Sequence, residues 1–330
     1  MSAAVSLPRH LPVITNSELR TFRRCAREHR LRYRLRRRPL RDADTLRFGS
    51  LFHVGLEAWW RADAAPEARI AAALAAIEGL RDVDPYDRVD AEELILGYTA
   101  RWGDGAPVVV GVEAQFVAPL VNPQTGAASK TYQLGGKLDV LFAYGFMEHK
   151  TTSEDIGLGG DYWQRVSALD SQVSMYTVGA RALGVEGPCT YDVIRKVALR
   201  PKRATPVESR KYKTNGELYA NKREHDETPD EYRERVREHI AENPERYYAR
   251  GEIVRLDHDE AEHAADVWQT ARAMREAELA ERYPRNPDAC MRFGRACEYF
   301  GVCSGQASID DDTKFRTATS SHEELEEIRT

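Results

Sequence analysis

The stretch YQLGGKLDVLFAYGFMEHKTT, residues 132–152, decides the fold. Its β-branched and aromatic residues lie on both sides of a tyrosine-glycine turn, which predicts two adjacent antiparallel strands. Alternate side chains of a strand share one face, so Glu148 and Lys150 project together. Asp139 precedes the turn and can come alongside them. The sequence therefore predicts a sheet face that carries two carboxylates and a lysine.

The elements around this hairpin predict an α/β fold. Upstream, helical spacing predicts helices over 17–38 (capped by Asn16 or Ser17), 47–62, 66–80 and 91–102, followed by a strand over 108–120. Downstream, we expect a long helix over 161–184, a strand over 189–199, a helix beginning at Thr228, a strand over 251–257 and a helix over 259–280. This order predicts a mixed sheet flanked by helices, with a helical region at the N-terminus.

The same patterns divide the chain. We expect a flexible arm over 1–16, one folded domain over 17–304 and an acidic disordered tail over 305–330. Within the domain we expect a helical region over 17–106, a catalytic core over 107–200, a basic insertion over 200–250, and a helix with a cysteine-rich segment over 251–304.

Charge is unevenly distributed along the chain. The net charge is -5, which at first sight argues against a nucleic-acid partner, but residues 306–330 hold seven acids, whereas Arg20 to Arg41 holds eleven arginines and one acid, Glu28. Such a run without acid partners favours contact with DNA phosphates over a solvated helix face. The predicted DNA contacts are Arg20, Arg23, Arg24 and Arg27, with Lys196, Lys202 and Arg203 in a second basic zone.

Other patterns limit the setting. No apolar run reaches the length of a membrane span, and the N-terminus lacks the layout of a secretion signal, so we expect a cytoplasmic protein that binds no membrane. The nucleotide-binding pattern of helicases is absent, so any unwinding of DNA would need a helicase or recombination partner. Oligomeric state is not readable from these patterns.

Two carboxylates that converge on one sheet face form a hard oxygen site that suits Mg²⁺ or Mn²⁺. Such a metal lowers the pKa of a bound water and polarises a phosphodiester. Lys150 would orient that water and offset developing negative charge. A surface hairpin with an ordinary salt bridge has the same pattern. Gly135-Gly136 before Asp139 and the long helix that follows favour the metal site.

Further motifs resemble one known family, the RecB-type branch of the PD-(D/E)XK nucleases, over most of residues 17–303. The matching motifs are Gly49-x3-His53, Gly136-x2-Asp139, Glu148-x-Lys150 and Gln172-x3-Tyr176. The resemblance implies a restriction-endonuclease-like fold. It also implies a metal-dependent DNA exonuclease that acts on ends or single strands in recombination, repair or phage replication.

The resemblance also assigns roles to residues. It implies that His53, Asp139 and Glu148 bind the metal through their side chains and His149 through its carbonyl oxygen. It implies further that Lys150 is the catalytic lysine and that Gln172 and Tyr176 contact the active site or the DNA backbone. By their positions, one turn beyond His53 and on the first strand, Glu57 and Glu113 are candidates to support the metal ligands. Two alternatives stay open. One is a catalytically idle DNA-binding subunit of a larger recombination or CRISPR adaptation complex, and the other is an RNA-directed nuclease.

Four of the five cysteines form a further pattern: Cys25, and then Cys290-x6-Cys297-x5-Cys303. In a reducing cytoplasm such a cluster favours metal ligation over disulfides. The resemblance implies a 4Fe–4S cluster held by one cysteine before the nuclease core and three after it. The family commonly has two residues where this chain has six between Cys290 and Cys297. Zinc on the same thiolates and unliganded thiols are the alternatives. Cys189 is expected to be a small buried hydrophobe.

Overall fold

The computed structural model describes residues 11–40, 44–62, 65–105, 107–292 and 294–325. Its α-helices are α1 (Asn16–Arg24), α2 (Ala26–His29), α3 (Asp44–Arg61), α4 (Pro66–Glu78), α5 (Pro85–Trp102), α6 (Asp161–Leu169), α7 (Ser171–Ala182), α8 (Pro229–Glu242), α9 (Pro244–Tyr247), α10 (Asp257–Leu279) and α11 (Phe300–Cys303). A π-helix covers Arg30–Arg34, and 3₁₀ turns cover Val207–Ser209 and Pro287–Ala289. Across the described ranges, no helix is both long and apolar enough to cross a bilayer.

The strands are β1 (Val13–Ile14), β2 (Arg37–Pro39), β3 (Val109–Val121), β4 (Ala128–Phe142), β5 (Gly145–Thr152), β6 (Cys189–Arg195), β7 (Tyr248–Ile253), β8 (Met291–Arg292), β9 (Arg295–Ala296) and β10 (Phe315–Thr317). One mixed sheet contains β1 and β3 to β7. In it β4 pairs antiparallel with β3 and β5, β5 pairs parallel with β6, and β6 pairs antiparallel with β7. The predicted mixed sheet with flanking helices is confirmed.

Each face of this sheet is covered by its own apolar core. One core holds Phe146 of β5 with residues of α1, α6, α7 and α10. The other holds Met147, the next residue along β5, with residues of α3, α4, α5 and α8. This alternation follows from the two-residue period of a strand, which turns neighbouring side chains to opposite faces. Glu148 and Lys150 therefore share the face of Phe146, toward α7.

Two predicted helices are interrupted. The first was expected to run over 17–38 from a cap at Asn16 or Ser17, but Thr15 caps α1 and Cys25 takes an extended conformation that ends it. The helix expected over 161–184 breaks at Asp170, whose carboxylate accepts the Gln172 backbone N–H and caps α7. Side-chain caps of this kind compete with helix continuation, and hydrophobic spacing does not register them. Strand β7 also begins three residues before its predicted start.

The two ends of the chain also differ from the prediction. Val13 and Ile14, placed in the flexible arm, pair with β4 at Gln133 and Leu134. The described part of the predicted disordered tail, 305–325, contains β10, which pairs antiparallel with β2. Two acids of this segment, Asp310 and Asp312, pair with Arg37 far away in sequence, which gives the segment partners that composition cannot show. Residues 1–10 and 326–330 lie outside the described residues.

Candidate active site

Asp139 and Glu148 face each other where two strands separate. The β4–β5 ladder holds Val140 opposite Met147, and no register pair of these strands is found beyond it in the described chain. Asp139 and Glu148 are the next two residues in that register. Instead of a backbone bond, the His149 N–H donates to Asp139 Oδ2 at 2.7 Å. The Asp139 carboxylate therefore contacts the backbone of β5, the strand that carries Glu148.

Glu148, Lys150 and Gln172 form one hydrogen-bonded group. The Lys150 ammonium contacts Glu148 Oε1 and donates to Gln172 Oε1 at 3.0 Å. Gln172 Nε2 donates to the same Glu148 oxygen at 2.7 Å. Because Asp170 caps α7, Gln172 lies in the first turn of that helix and reaches back to the sheet. The sequence motifs E-x-K and Q-x3-Y thus meet at one carboxylate.

The other oxygen of Glu148 lacks a hydrogen-bond partner among the described residues. Glu148 is buried, and no described residue donates to its Oε2. Burial, and then the nearby negative charge of Asp139, raise the pKa of Glu148 above its usual value. Burial lowers the pKa of Lys150, but Glu148 and Asp139 outweigh it and raise that pKa overall. An unpartnered buried carboxylate oxygen beside a second acid is a site where a cation would relieve both costs.

The residues present fit a divalent metal. Glu148 Oε2 is free to bind one, and Asp139 contributes a second carboxylate. The N–H and C=O of one strand residue point to the same side of the strand. Since the His149 N–H points to Asp139, its carbonyl oxygen lies on that side too. In the described ranges, no group of three or more His, Cys, Asp or Glu side chains is spaced to hold a metal ion. Metal binding and the individual ligands therefore stay predictions.

His53 and the two acids predicted to support the ligands lie around Asp139. Burial lowers the pKa of His53 to about 4, which leaves its imidazole neutral near pH 7, the form that binds metals. The His53 and His149 rings lie 6.3 Å apart. Glu113 forms an ion pair with Lys137, and Glu57 forms one with Arg61 at 2.8 Å. Both glutamates thus already have cationic partners.

Tyr176 packs at the edge of the same group. Its ring meets Phe116 edge to face with centroids 5.8 Å apart. A side chain at Gly136 would lie within 3.0 Å of both rings, so glycine is needed for Tyr176 to approach the strand that carries Asp139. Burial and the nearby Glu148 raise the Tyr176 pKa well above its usual value, which keeps the phenol protonated.

Comparison with known proteins agrees with this geometry. The sequence profile of the PD-(D/E)XK nuclease superfamily matches residues 13–304. The chain belongs to the PD-(D/E)XK nuclease superfamily. Members of this superfamily hydrolyse phosphodiester bonds, typically with Mg²⁺ or Mn²⁺, so the chain is a nuclease by family. No curated protein matches it significantly.

A buried ionic network that the sequence motifs did not predict lies behind β5, the strand that carries Glu148 and Lys150. His149 Nδ1 is 2.9 Å from Asp192 Oδ2 on β6. Arg250 donates to Asp192 Oδ1 at 2.9 Å, and the Tyr98 hydroxyl donates to Oδ2 at 2.8 Å. Although burial opposes ionisation, Arg250 and His149 hold the pKa of Asp192 at about 2. An acid inside the apolar strand TYDVIR was the available signal, since buried acids need partners.

The four predicted cluster cysteines line one cavity. Cys25, Cys290, Cys297 and Cys303 line it together with residues such as Glu28, Asn286 and Tyr299. The six-residue gap does not separate the first two C-terminal cysteines, because β8 and β9 pair within it and the Cys297 N–H donates to the Cys290 carbonyl at 2.8 Å. All five cysteines are free thiols, and burial raises the pKa of Cys297 to about 11. Cys189 is buried, as expected.

The prediction that the N-terminal arginines lack acid partners is wrong. Arg24 pairs with Glu28, and Arg34 donates to Glu18 and Glu278 at 2.8 and 2.7 Å. More partners come from distant segments, which the local sequence cannot reveal. Four of the remaining predicted DNA contacts already have partners within the protein. Arg23 donates to Thr270, Arg27 to the Tyr283 carbonyl and Arg203 to Asp226, and Lys196 lies over the Phe48 ring. Arg20 and Lys202 are exposed. DNA contact by these seven residues stays a prediction.

Proposed function

We propose that this nuclease hydrolyses DNA with Mg²⁺ or Mn²⁺, as an exonuclease of the RecB-type branch that acts on ends or single strands. The observation that supports this most is Glu148, which has one oxygen held by Lys150 and Gln172 and the other free. A catalytically idle DNA-binding subunit would have no need to keep this group intact. The roles in recombination, repair or phage replication rest on the resemblance alone.

The chain's own residues prepare the reaction. A bound metal would supply Lewis acidity and a water of lowered pKa. Glu148 Oε2, Asp139 and the His149 carbonyl would hold it, with neutral His53 as a further ligand. Lys150 remains protonated and can stabilise negative charge that develops on the scissile phosphate. Gln172 fixes the Lys150 ammonium and the Glu148 carboxylate relative to each other, so neither must reorganise during the reaction.

Cleavage assays with Mn²⁺ on end-labelled linear DNA test this proposal. We expect Asp139→Ala and Lys150→Ala to abolish cleavage, whereas Lys130→Ala, an exposed lysine on the same strand as Asp139, serves as the matched control and retains it. Persistent cleavage in both active-site variants would refute the assignment. Covalently closed circles should resist the enzyme, because an exonuclease needs an end. Cleavage of circles at the linear rate would contradict the exonuclease mode, and preferential cleavage of RNA would replace DNA as the substrate.

The same proposal includes a 4Fe–4S cluster on Cys25, Cys290, Cys297 and Cys303. Four thiols around one cavity are the donor set that such a cluster needs. It would join the two ends of the folded chain. Iron and acid-labile sulfide in anaerobically purified protein are the expected result, with loss of both in Cys297→Ser and retention in Cys189→Ser. A colourless sample loaded with zinc would refute the cluster.

A further inference from the structure

The basic insertion contains an ordered hairpin, residues 210–220, that we call the basic hairpin. Tyr212 opposes Leu218 in an antiparallel bridge, and the Lys213 N–H donates to the Glu217 carbonyl at 2.7 Å. The Tyr219 N–H donates to the Lys211 carbonyl at 3.1 Å, which completes the rung on the other side of the bridge. Gly216 takes the positive φ that the turn requires. The sequence predicts only a basic insertion over 200–250, without this hairpin.

The base of the hairpin is fixed to the body of the protein. The Thr205 N–H donates to the Arg223 carbonyl at 2.9 Å, just outside the hairpin. Below that, the Lys202 N–H donates to buried Glu227 at 2.7 Å. Arg235 of α8 holds the same carboxylate with two bonds of 2.7 Å. The hairpin is therefore presented on a rigid support, with its free end toward solvent.

The two faces of the hairpin differ in chemistry. Cross-strand partners share a face, and so do alternate residues of one strand. Lys211, Lys213 and Tyr219 therefore lie on one face, and Tyr212 lies on the other. Both tyrosines are about half exposed, at 49% for Tyr219 and 51% for Tyr212. Glu217 accompanies the lysine face and pairs with Lys213 at 3.2 Å, an exposed contact that contributes little.

The surrounding charge is strongly positive. Residues 200–223 hold eight basic and two acidic side chains. Within the described chain, no ion pair involves Lys211. Three of the other aromatic side chains, Trp59, Trp60 and Trp163, are buried in the two cores, whereas Tyr144, which is 87% exposed, lies in the turn between β4 and β5. An exposed tyrosine between lysines is the combination that binds single strands, because unstacked bases offer a π-face and the backbone offers phosphates.

The hairpin lies in the segment that follows the carboxyl end of β6, the neighbour of the strand that carries Lys150. Strands β5 and β6 run parallel and in register to their ends at Thr152 and Arg195. The next residue, Lys196, donates its N–H to the Thr152 carbonyl at 2.7 Å, two positions beyond Lys150. From Lys196 to the anchored Thr205 the chain spans at most about 30 Å. A strand of on the order of ten nucleotides could reach from the hairpin base to the active site.

We propose that the basic hairpin binds single-stranded DNA, with Tyr219 stacked on a base and Lys211 and Lys213 on neighbouring phosphates. This proposal rests on the proposed DNA nuclease function, and it names a single-stranded part of the DNA substrate as what the hairpin binds. A duplex would bind the hairpin less well, because its bases stack on each other and offer no exposed base face to the Tyr219 ring. The hairpin thus favours substrates with a single-stranded extension next to the cleaved end.

Binding measured without cleavage tests this. The full-length protein is titrated, in EDTA, into fluorescent oligo-dT of about 20 nucleotides and of about 4 nucleotides, and into a blunt duplex. We expect Tyr219→Ala to weaken binding of the long single strand roughly 5-fold or more. Tyr219→Phe should restore it, and Tyr212→Ala, the matched control on the other face, should leave it unchanged. Duplex affinity should not change, whereas the short strand, which can still cover the hairpin, should be weakened as well.

Salt dependence provides a second readout. Lys211→Ala and Lys213→Ala should each reduce the slope of log affinity against log salt by about 0.7 for the long single strand. Equal affinity of Tyr219→Ala and the unmodified protein would overturn the proposal, and so would equal losses in Tyr219→Ala and Tyr212→Ala. Because EDTA prevents metal-dependent cleavage, hairpin-dependent binding by a protein that cuts nothing would refute the nuclease proposal alone.

Discussion

A buried contact between the C-terminal segment and the first helix should make stability depend on pH. His322 Nε2 lies 2.9 Å from Glu18 Oε2, and we call this contact the tail latch. Glu18 is fully buried. Its Oε1 lies 2.8 Å from His29 Nε2 and accepts a hydrogen bond of 2.8 Å from Arg34. On its other side, His322 faces the Val13 carbonyl, Glu324 and the Tyr33 ring. We predict that His322→Gln removes a pH-dependent part of the free energy of unfolding.

The two pKa values fix the direction of this effect. Although burial opposes ionisation, His29 and His322 lower the pKa of Glu18 from 4.5 to about 2. Burial likewise opposes the charge of His322, yet Glu18 raises its pKa from 6.5 to about 9. The contribution of Glu18 to the free energy of unfolding is fully present above pH 4.5 and is lost as pH falls toward 2. The His322 contribution is complete below pH 6.5 and is lost as pH rises through 9. The latch is therefore strongest between about pH 4.5 and 6.5.

The magnitude follows from the same values. One pKa unit corresponds to about 1.4 kcal/mol, so the rise in the His322 pKa corresponds to about 3 kcal/mol of unfolding free energy. The lowering at Glu18 describes the same contact and is not added to it. Replacement of His322 by glutamine preserves a neutral donor but removes the charge. The difference between the two proteins should therefore shrink by about 3 kcal/mol from pH 6 to pH 10.

Urea unfolding followed by circular dichroism at several pH values measures this difference. His225→Gln, which changes an exposed histidine, is the control and should follow the unmodified protein at every pH. A constant difference between His322→Gln and the unmodified protein across this range would show that the latch carries no ionic contribution. A difference that grows with pH would mean that the sign is wrong.

Two further substitutions test the buried acids. Asp192→Asn leaves Arg250 and His149 without their carboxylate. We therefore expect urea unfolding to show a loss of roughly 3 kcal/mol or more of unfolding free energy, and calorimetry to show weaker Mn²⁺ binding. An unchanged Mn²⁺ affinity would show that this network does not act on the metal site. Burial raises the pKa of Asp90 to about 8, so its ionisation destabilises the folded protein increasingly as pH rises from about 4 to 8. Asp90→Asn should therefore raise the melting temperature more at pH 8.5 than at pH 5, and an equal gain at both would contradict the assignment.

The proximity of Asp139, Glu148 and Lys150 was predictable because its signals are local. Glu148 and Lys150 lie two apart on one strand, and Asp139 is joined to them by a short hairpin, so strand alternation and one turn suffice to place all three. Gln172 was predicted through a family motif. Its actual position depends on the break at Asp170, which the helical pattern of 161–184 conceals. A helix that continued through Asp170 would lack the cap that sets Gln172 in its first turn.

The contacts that close the chain were not predictable from local pattern. Tail acids Asp310 and Asp312 pair with Arg37, more than 270 residues away. Composition alone assigned the acids to a disordered tail and the arginines to DNA. Both patterns conceal this pairing, because one arginine of the basic run is the counter-ion of two acids of the tail. In such a case a locally unbalanced charge indicates a missing tertiary partner as readily as a ligand.

The contacts that hold the two ends of the chain together are connected to the candidate active site through the first helix, α1. Glu18 of α1 receives the tail latch, and Cys25 at the end of the same helix lines the cysteine cavity. At the start of α1, the Asn16 side chain accepts a hydrogen bond of 2.9 Å from Ser171, the residue before Gln172. Both closures therefore restrain a helix that contacts the N-terminus of α7. Loosening either end would therefore act on the Gln172 bonds to Glu148 and Lys150 through the contact between Asn16 and Ser171.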